Sequence, residues 1–288
     1  MAYRHYGNIG DIWKHLSLCD IVSGEEVKTY VETNSAYFDY KLENTPGQQY
    51  GIGHFSRKAA SNKKLRESEY FRVISPYLSK GRYPGSFAQV ISILNGKDCN
   101  YICFDTDRTA LESLRANAAQ LDISGRLDTR NTDSIGGFLK LVPELDEKSF
   151  VHIDPYLINQ EDDNGDTYLK GFLKAAQKGI MCLMWYGFMT LREKKKLNRL
   201  IGKETIRVKG RKISCTEIIL RSIMENSVPF SPGIMGCGIL TANLHNISIN
   251  KISEHADLLV NIYSGAVFTD KDSIAHSGEV YVDKILQE

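Results

Sequence analysis

The chain has 288 residues, of which 42% are hydrophobic and 25% charged, and its net charge is +1. That is ordinary globular usage, enough for one large domain or one domain carrying an insertion. No apolar run approaches the ~20 residues of a membrane-spanning helix, and the N-terminus has no apolar signal region, so export is not expected.

Six cysteines (Cys19, Cys99, Cys103, Cys182, Cys215, Cys237) are scattered without paired CxxC spacing. They suit reduced core thiols in a cytoplasmic protein, and no metal site is expected. Near-neutral net charge does not announce a nucleic-acid binder, but a local basic patch is what counts. Basic residues cluster twice, as Arg57, Lys58, Lys63, Lys64 and Arg66, and again from Arg192 to Lys212.

In chain order, an aromatic and basic arm, Tyr3-Arg4-His5-Tyr6, precedes Gly7-Asn8-Ile9-Gly10-Asp11. Asp11 is placed to cap a helix whose apolar side carries Ile12, Trp13, Leu16 and Leu18, with Lys14 and His15 in its first turns. Val27 to Thr33 reads as the first strand, followed by Asn34-Ser35-Ala36-Tyr37. From Lys41 to Tyr83 the chain turns polar and glycine-containing, with a helix near Ser68 to Tyr77. It reads as a helical insertion over 41–84, between an N-terminal part of the main domain (1–40) and its remainder (85–288). Tyr83-Pro84-Gly85-Ser86 forms a turn into an apolar helix, Phe87 to Leu94.

Beyond it, strands and helices alternate. Strands are expected at Asn100–Asp105, Leu127–Asn131, Phe150–Ile153, Gly179–Tyr186, Ile213–Arg221 and Gly238–Ala242. Helices are expected at Arg108–Leu121, Phe138–Leu145, Tyr168–Lys178 and Leu191–Ile201. This alternation predicts an α/β fold built on a doubly wound, mostly parallel sheet.

Four strands in a row finish in polar residues, at Thr33-Asn34, Asp105, Thr132-Asp133 and Asp154. In such sheets ligands bind at the carboxyl edge. A carboxylate ending the second strand suits a ribose, because it accepts from two vicinal hydroxyls. That role falls to Asp105, while Asp133 is placed to accept from an adenine amino group. The central strand ends in Asp154-Pro155-Tyr156-Leu157, where Pro155 stops the ladder. A carboxylate and a neighbouring carbonyl can localise the lone pair of an exocyclic amine by accepting its two hydrogens, while an aromatic ring stacks on the flipped base.

These signposts resemble a known family. Tyr3-Arg4-His5 with Gly7-Asn8 and Asp11, Lys14-His15, Tyr83-Pro84-Gly85-Ser86, Asp154-Pro155 and Leu183-Met184-Trp185-Tyr186 occur in the order found in the 23S rRNA adenine-N6 methyltransferases, earlier described as competence proteins for use of external DNA. The resemblance implies the fold of the S-adenosylmethionine-dependent methyltransferases, with S-adenosylmethionine as cofactor and ribosomal RNA as partner. It implies that Lys14, His15, Asn34, Ser86, Asp105, Asp133 and Asp154 hold cofactor, and that Asp154, Pro155 and Tyr156 form the catalytic element. Tyr3, Arg4, His5 and Lys14 would contact the target. If RNA is bound, both basic clusters should add salt-dependent affinity.

Two departures are visible. The family's glycine-containing loop after strand one reads Asn34-Ser35-Ala36-Tyr37-Phe38-Asp39-Tyr40, so Tyr37 or Phe38 is expected to crowd the methionine end of the cofactor. The family's Asp-Pro-Pro-Tyr reads Asp154-Pro155-Tyr156-Leu157, which leaves either Tyr156 or Leu157 in the place of the stacking ring. A non-catalytic relative binding nucleic acid or protein, and a methyltransferase with another acceptor, stay open as alternatives.

Overall fold

The computed structural model describes residues 6–225, 234–269 and 273–287. The first helix, α1 (Ile9–Gly24), is buried from Ile9 to Cys19, its charged residues included. Asn8, not Asp11, is its cap. Asn8 Oδ1 accepts from the Asp11 N–H at 3.0 Å, and Asp11 Oδ2 accepts from the Gly7 N–H at 2.8 Å. Asn8 thus serves the Asp11 amide while Asp11 reaches back to the Gly7 amide, which leaves Asp11 inside the first turn.

Strand β1 (Thr29–Glu32) follows. The chain then leaves the sheet, and β2 (Asp39–Lys41) pairs antiparallel with β3 (Arg82–Pro84) to close the base of the excursion. Between them lie α2 (Pro46–Gln48), a π-helical turn (Gln49–Gly53), α3 (His54–Ser61), α4 (Lys63–Arg66) and α5 (Glu69–Leu78). The turn presses against Gly7 and Asn8, and a Cβ on Gly51 would stand 2.2 Å from the Gly7 carbonyl oxygen. Only glycine permits that approach.

The remaining elements are α6 (Ser86–Leu94), β4 (Asn100–Phe104), α7 (Arg108–Gln120), β5 (Leu127–Arg130), α8 (Ser134–Leu141), β6 (Ser149–Ile153), α9 (Tyr168–Lys178), β7 (Met181–Phe188), α10 (Leu191–Thr205), β8 (Ile213–Leu220), α11 (Arg221–Met224), β9 (Gly236–Ala242), α12 (Asn246–Tyr263), β10 (Val267–Thr269), β11 (Ala275–Ser277) and β12 (Val280–Gln287). Helix α8 starts four residues earlier than expected, because Asp133 caps it by accepting from the Gly136 N–H at 2.9 Å. The elements from α12 onward were not read from the sequence.

The main sheet runs β5-β4-β1-β6-β7-β9-β8-β12. Strands β5, β4, β1, β6 and β7 are mutually parallel, whereas β9 is antiparallel to both β7 and β8. This is a doubly wound, mostly parallel α/β sheet with an antiparallel edge. Every residue of β6 and β7 is buried, as expected of strands covered by helices on both faces. From β1 the chain winds outward to β4 and β5, then returns to β6 on the other side of β1. That reversal opens a crevice at the carboxyl ends of β1 and β6. All six cysteines are buried free thiols, and among the described residues no helix is long and apolar enough to cross a membrane.

Candidate functional site

A cleft of about 440 Å³ lies at that crevice, in the size range of small-molecule sites. Its lining includes Lys14, Asn34, Asp105, Asp133, Asp154 and Tyr156. His15 and Ser86 also reach it. The seven residues expected to hold cofactor are thus brought together, although α1, four strand ends and α6 supply them from distant parts of the chain. Tyr3, Arg4 and His5 lie outside the described residues.

At the cleft floor, Lys14 Nζ sits 2.5 Å from Asp154 Oδ2 and 2.9 Å from Asp11 Oδ1. It also lies 5.4 Å from the centre of the Trp185 ring. Burial opposes the lysine charge, but the carboxylates of Asp11 and Asp154 outweigh it and raise its pKa, so Lys14 is a cation. Burial raises the Asp154 pKa, and the Lys14 charge works against that rise. Lys14 contacts Oδ2, and Oδ1 has no hydrogen-bond partner among the described residues. His15 is held neutral, its pKa lowered well below the usual value by burial and by the charge of Lys14. Its Nδ1 meets the Tyr83 hydroxyl at 2.9 Å, while Nε2 has no partner.

Beneath these residues lies a layer that the sequence reading missed. Glu32, fully buried at the end of β1, accepts from the Ser86 hydroxyl and contacts His152 Nδ1 at 3.0 Å. Among the described residues its Oε2 and the Nε2 of His152 have no hydrogen-bond partner. The signal was present as one glutamate in an otherwise strand-like Tyr-Val-Glu-Thr. The parallel register then places it beside His152, two residues before Asp154.

Along the rest of the edge, both oxygens of Asp105 accept backbone N–H groups, from Ala36 and from Asp107, each at 2.8 Å. Those bonds fix the carboxylate at the strand end. Asn34 Nδ2 donates to the Tyr168 hydroxyl at 3.0 Å, which also meets Ser134 Oγ at 2.7 Å. Asp133 lines the cleft but commits one oxygen to capping α8.

The loop after β1 does not fill the cleft. Tyr37 turns toward α7, its hydroxyl 2.6 Å from Thr109 Oγ1, and Phe38 is buried edge-on against Phe87. Neither lines the space, so the expected crowding is not found there. Two other rings do reach it. Tyr6 and Tyr40 stack with centroids 4.4 Å apart at 14° and form one wall. Of the two candidates for the stacking ring, Tyr156 lines the cleft and Leu157 does not. Tyr156 lies over Gly187, its carbonyl accepting the Gly187 N–H at 3.3 Å, with 43% of its surface exposed at the mouth.

The residues present fit S-adenosylmethionine. Its ribose diol matches the fixed Asp105 carboxylate, and its cationic groups match a cleft where Asp11, Asp105, Asp133 and Asp154 stand against Lys14 alone. Among the described residues His15 Nε2, on a residue that lines the cleft, is a buried polar atom without a partner, of the kind a ligand satisfies.

No protein-family model matches the chain, and no curated protein matches it. Among solved structures, it is similar to protein LPL1258 from Legionella pneumophila str. Philadelphia 1, described as DUF519, with a TM-score of 0.73 and 18% identity over 97% of each chain. It is also similar to an rRNA methylase from Streptococcus thermophilus (TM-score 0.41, 10% identity, 80% of this chain and 94% of that one). A SAM-dependent methyltransferase from Agrobacterium tumefaciens gives a TM-score of 0.43 and 10% identity over 84% of this chain and 64% of that one. At these identities the likeness is one of fold.

Proposed function

We propose that the chain is an S-adenosylmethionine-dependent methyltransferase acting on adenine N6 in ribosomal RNA. The observation that carries this reading is Asp154, held at the end of the central strand on the cleft floor, with one oxygen on Lys14 and Tyr156 lining the same cleft. Exocyclic amines of bases are poor nucleophiles because their lone pair is delocalised into the ring. Asp154 Oδ1 and the Pro155 carbonyl would accept the two amino hydrogens and localise that pair. Tyr156 would stack on the base and hold it in line. The bound cofactor supplies the activated methyl group. The Lys14 charge works against the burial that raises the Asp154 pKa, and so favours the ionised form that accepts. Asp105 would bind the ribose, and Lys14, His15, Asn34, Ser86 and Asp133 would complete the cofactor's surroundings. Tyr3, Arg4 and His5 would contact the target.

Calorimetric titration with S-adenosylmethionine should give heat, and RNA treated with enzyme and cofactor should yield N6-methyladenosine on nucleoside analysis. Asp154→Ala should lower kcat by about 10²–10³-fold, the cost of one preorganised electrostatic contact, with cofactor affinity little changed. Wild-type turnover in that variant, or no binding at millimolar cofactor, would remove the assignment.

A further inference from the structure

Helix α10 carries two faces of different character. Lys194, Leu197 and Ile201 are buried, and Lys194 pairs with Glu217 and Asp283, each at 2.7 Å. Arg192, Lys195, Lys196, Arg199 and Lys203 are exposed. Their spacing of i, i+3, i+4, i+7 and i+11 draws one stripe along a helix. The stripe runs roughly 16 Å at 1.5 Å per residue. Among the described residues Arg192, Lys195, Lys196 and Arg199 have no ion-pair partner, and Lys203 approaches only Glu204, at 3.9 Å.

The N-terminal end of the stripe lies on the side of Tyr156, which lines the cleft. Helix α10 opens directly after β7, whose Gly187 lies under the Tyr156 ring. The carboxylate of Glu193, in the first turn of α10, is near enough to the Tyr156 phenol to add to the effect of burial on it. The other basic cluster is placed differently. Lys64 lines a groove with Asp20, Glu67, Glu254 and Asp257. Lys63 lies 3.7 Å from Glu67, and Arg66 donates to the Ala60 carbonyl. Around Lys63, Lys64 and Arg66 the chain thus supplies carboxylates and a carbonyl of its own, whereas the α10 charge faces outward.

We propose that the exposed face of α10 is a track for the phosphates of a single RNA strand, leading its target base over Tyr156 to Asp154. A row of unpaired cations leading to an aromatic ring is the arrangement that single-strand binders use, with charge following the backbone and a ring taking a base. The inference rests on the proposed function and adds to it the path of the substrate. A cation already paired within the protein gains less by meeting a phosphate, because it must give up its carboxylate before it can neutralise the phosphate and release that phosphate's counterion.

The test compares two variants of equal charge loss, Lys195→Gln/Lys196→Gln/Arg199→Gln and Lys63→Gln/Lys64→Gln/Arg66→Gln. Fluorescence anisotropy with a labelled single-stranded RNA is read across salt concentrations. The α10 variant should bind at least about tenfold more weakly at low salt, and its log K against log salt should be shallower by about 2, roughly 0.7 for each lost contact. The α4-side variant should track wild type. Both should keep the thermal shift produced by S-adenosylmethionine, which separates this result from failure of the enzymatic reading. Equal losses in the two variants, or no loss in the α10 variant, would overturn the track while leaving methyl transfer intact. Loss of binding to anionic lipid vesicles with RNA affinity unchanged would overturn it in favour of a membrane surface.

Discussion

The protein buries two lysines in carboxylate clusters, and the two clusters are built for different ends. Lys194 bridges Glu217 and Asp283, and Glu217 also accepts from the Tyr186 hydroxyl at 2.8 Å, so that network is closed. It pins α10 to the antiparallel half of the sheet. Lys14 bridges Asp11 and Asp154 at the edge of an open cleft. Around it stand buried polar atoms without partners, at His15, Glu32 and His152. A buried polar network that is only partly satisfied is costly. Its survival beside a cleft argues that something else completes it. The contrast separates an ion pair that holds structure from one that, on the function proposed above, biases the charge of the carboxylate facing the amine.

Lys194→Met should show the larger effect, and on stability alone. It leaves fully buried Glu217 without its cation, a loss of about 3–5 kcal/mol for a broken buried pair. The Glu217 pKa is raised by burial and held back by Lys194. An acid with a raised folded pKa contributes stability below its unfolded pKa, and loses it as pH rises through the folded value. Removing Lys194 raises that value further, so the destabilisation should be greatest at neutral pH and shrink in mild acid. Urea midpoints at both pH values check this, and turnover per folded molecule should match wild type. A fall in turnover equal to that of a cleft variant would erase the distinction between the clusters.

Lys14→Met should act on the chemistry instead. Without the Lys14 charge, burial pushes the Asp154 carboxyl still higher. If ionised Asp154 is the working form, the acid limb of the pH–rate profile should move to higher pH, and activity lost at neutral pH should partly return in alkali. An unmoved limb with reduced rate would mean that Lys14 serves only to position.

Periodicity and turn chemistry carried most of the sheet. The run Phe150 to Ile153 ends at Pro155, and the strand it predicts ends at Ile153. Tyr168–Lys178 is a helix with the bounds expected, because Thr167 caps it and Gly179, at a φ of 92°, ends it. Partners set by register alone were not legible. Nothing local in Glu32 says that it will lie beside His152, or that Ser86 from a distant helix will donate to it. Tyr37 and Phe38 show the same limit from the other side, since their bulk was legible and their direction was not. A side chain's direction follows from neighbours supplied by α6 and α7, which the loop's own sequence does not contain.

The mildest test concerns the rim. A Cβ on Gly187 would stand 2.5 Å from Tyr156 Cε2 and 2.9 Å from Ile234 Cδ1. The Tyr156 ring is partly exposed and free on its outer side, so Gly187→Ala should tilt it away rather than disrupt β7. If that ring stacks on the target base, acceptor affinity should fall by about 1–3 kcal/mol, the range for one base on one ring. Cofactor affinity and the thermal midpoint should stay near wild type, because Tyr156 touches neither the Lys14 pair nor the Lys194 network. Phe in place of Tyr156 should restore stacking without the hydroxyl and bind acceptor like wild type, which a role for the phenol itself would not allow. A Gly187→Ala protein that binds RNA normally would return the choice between Tyr156 and Leu157 to Leu157, whose 46% exposure leaves it able to approach a base once one is bound.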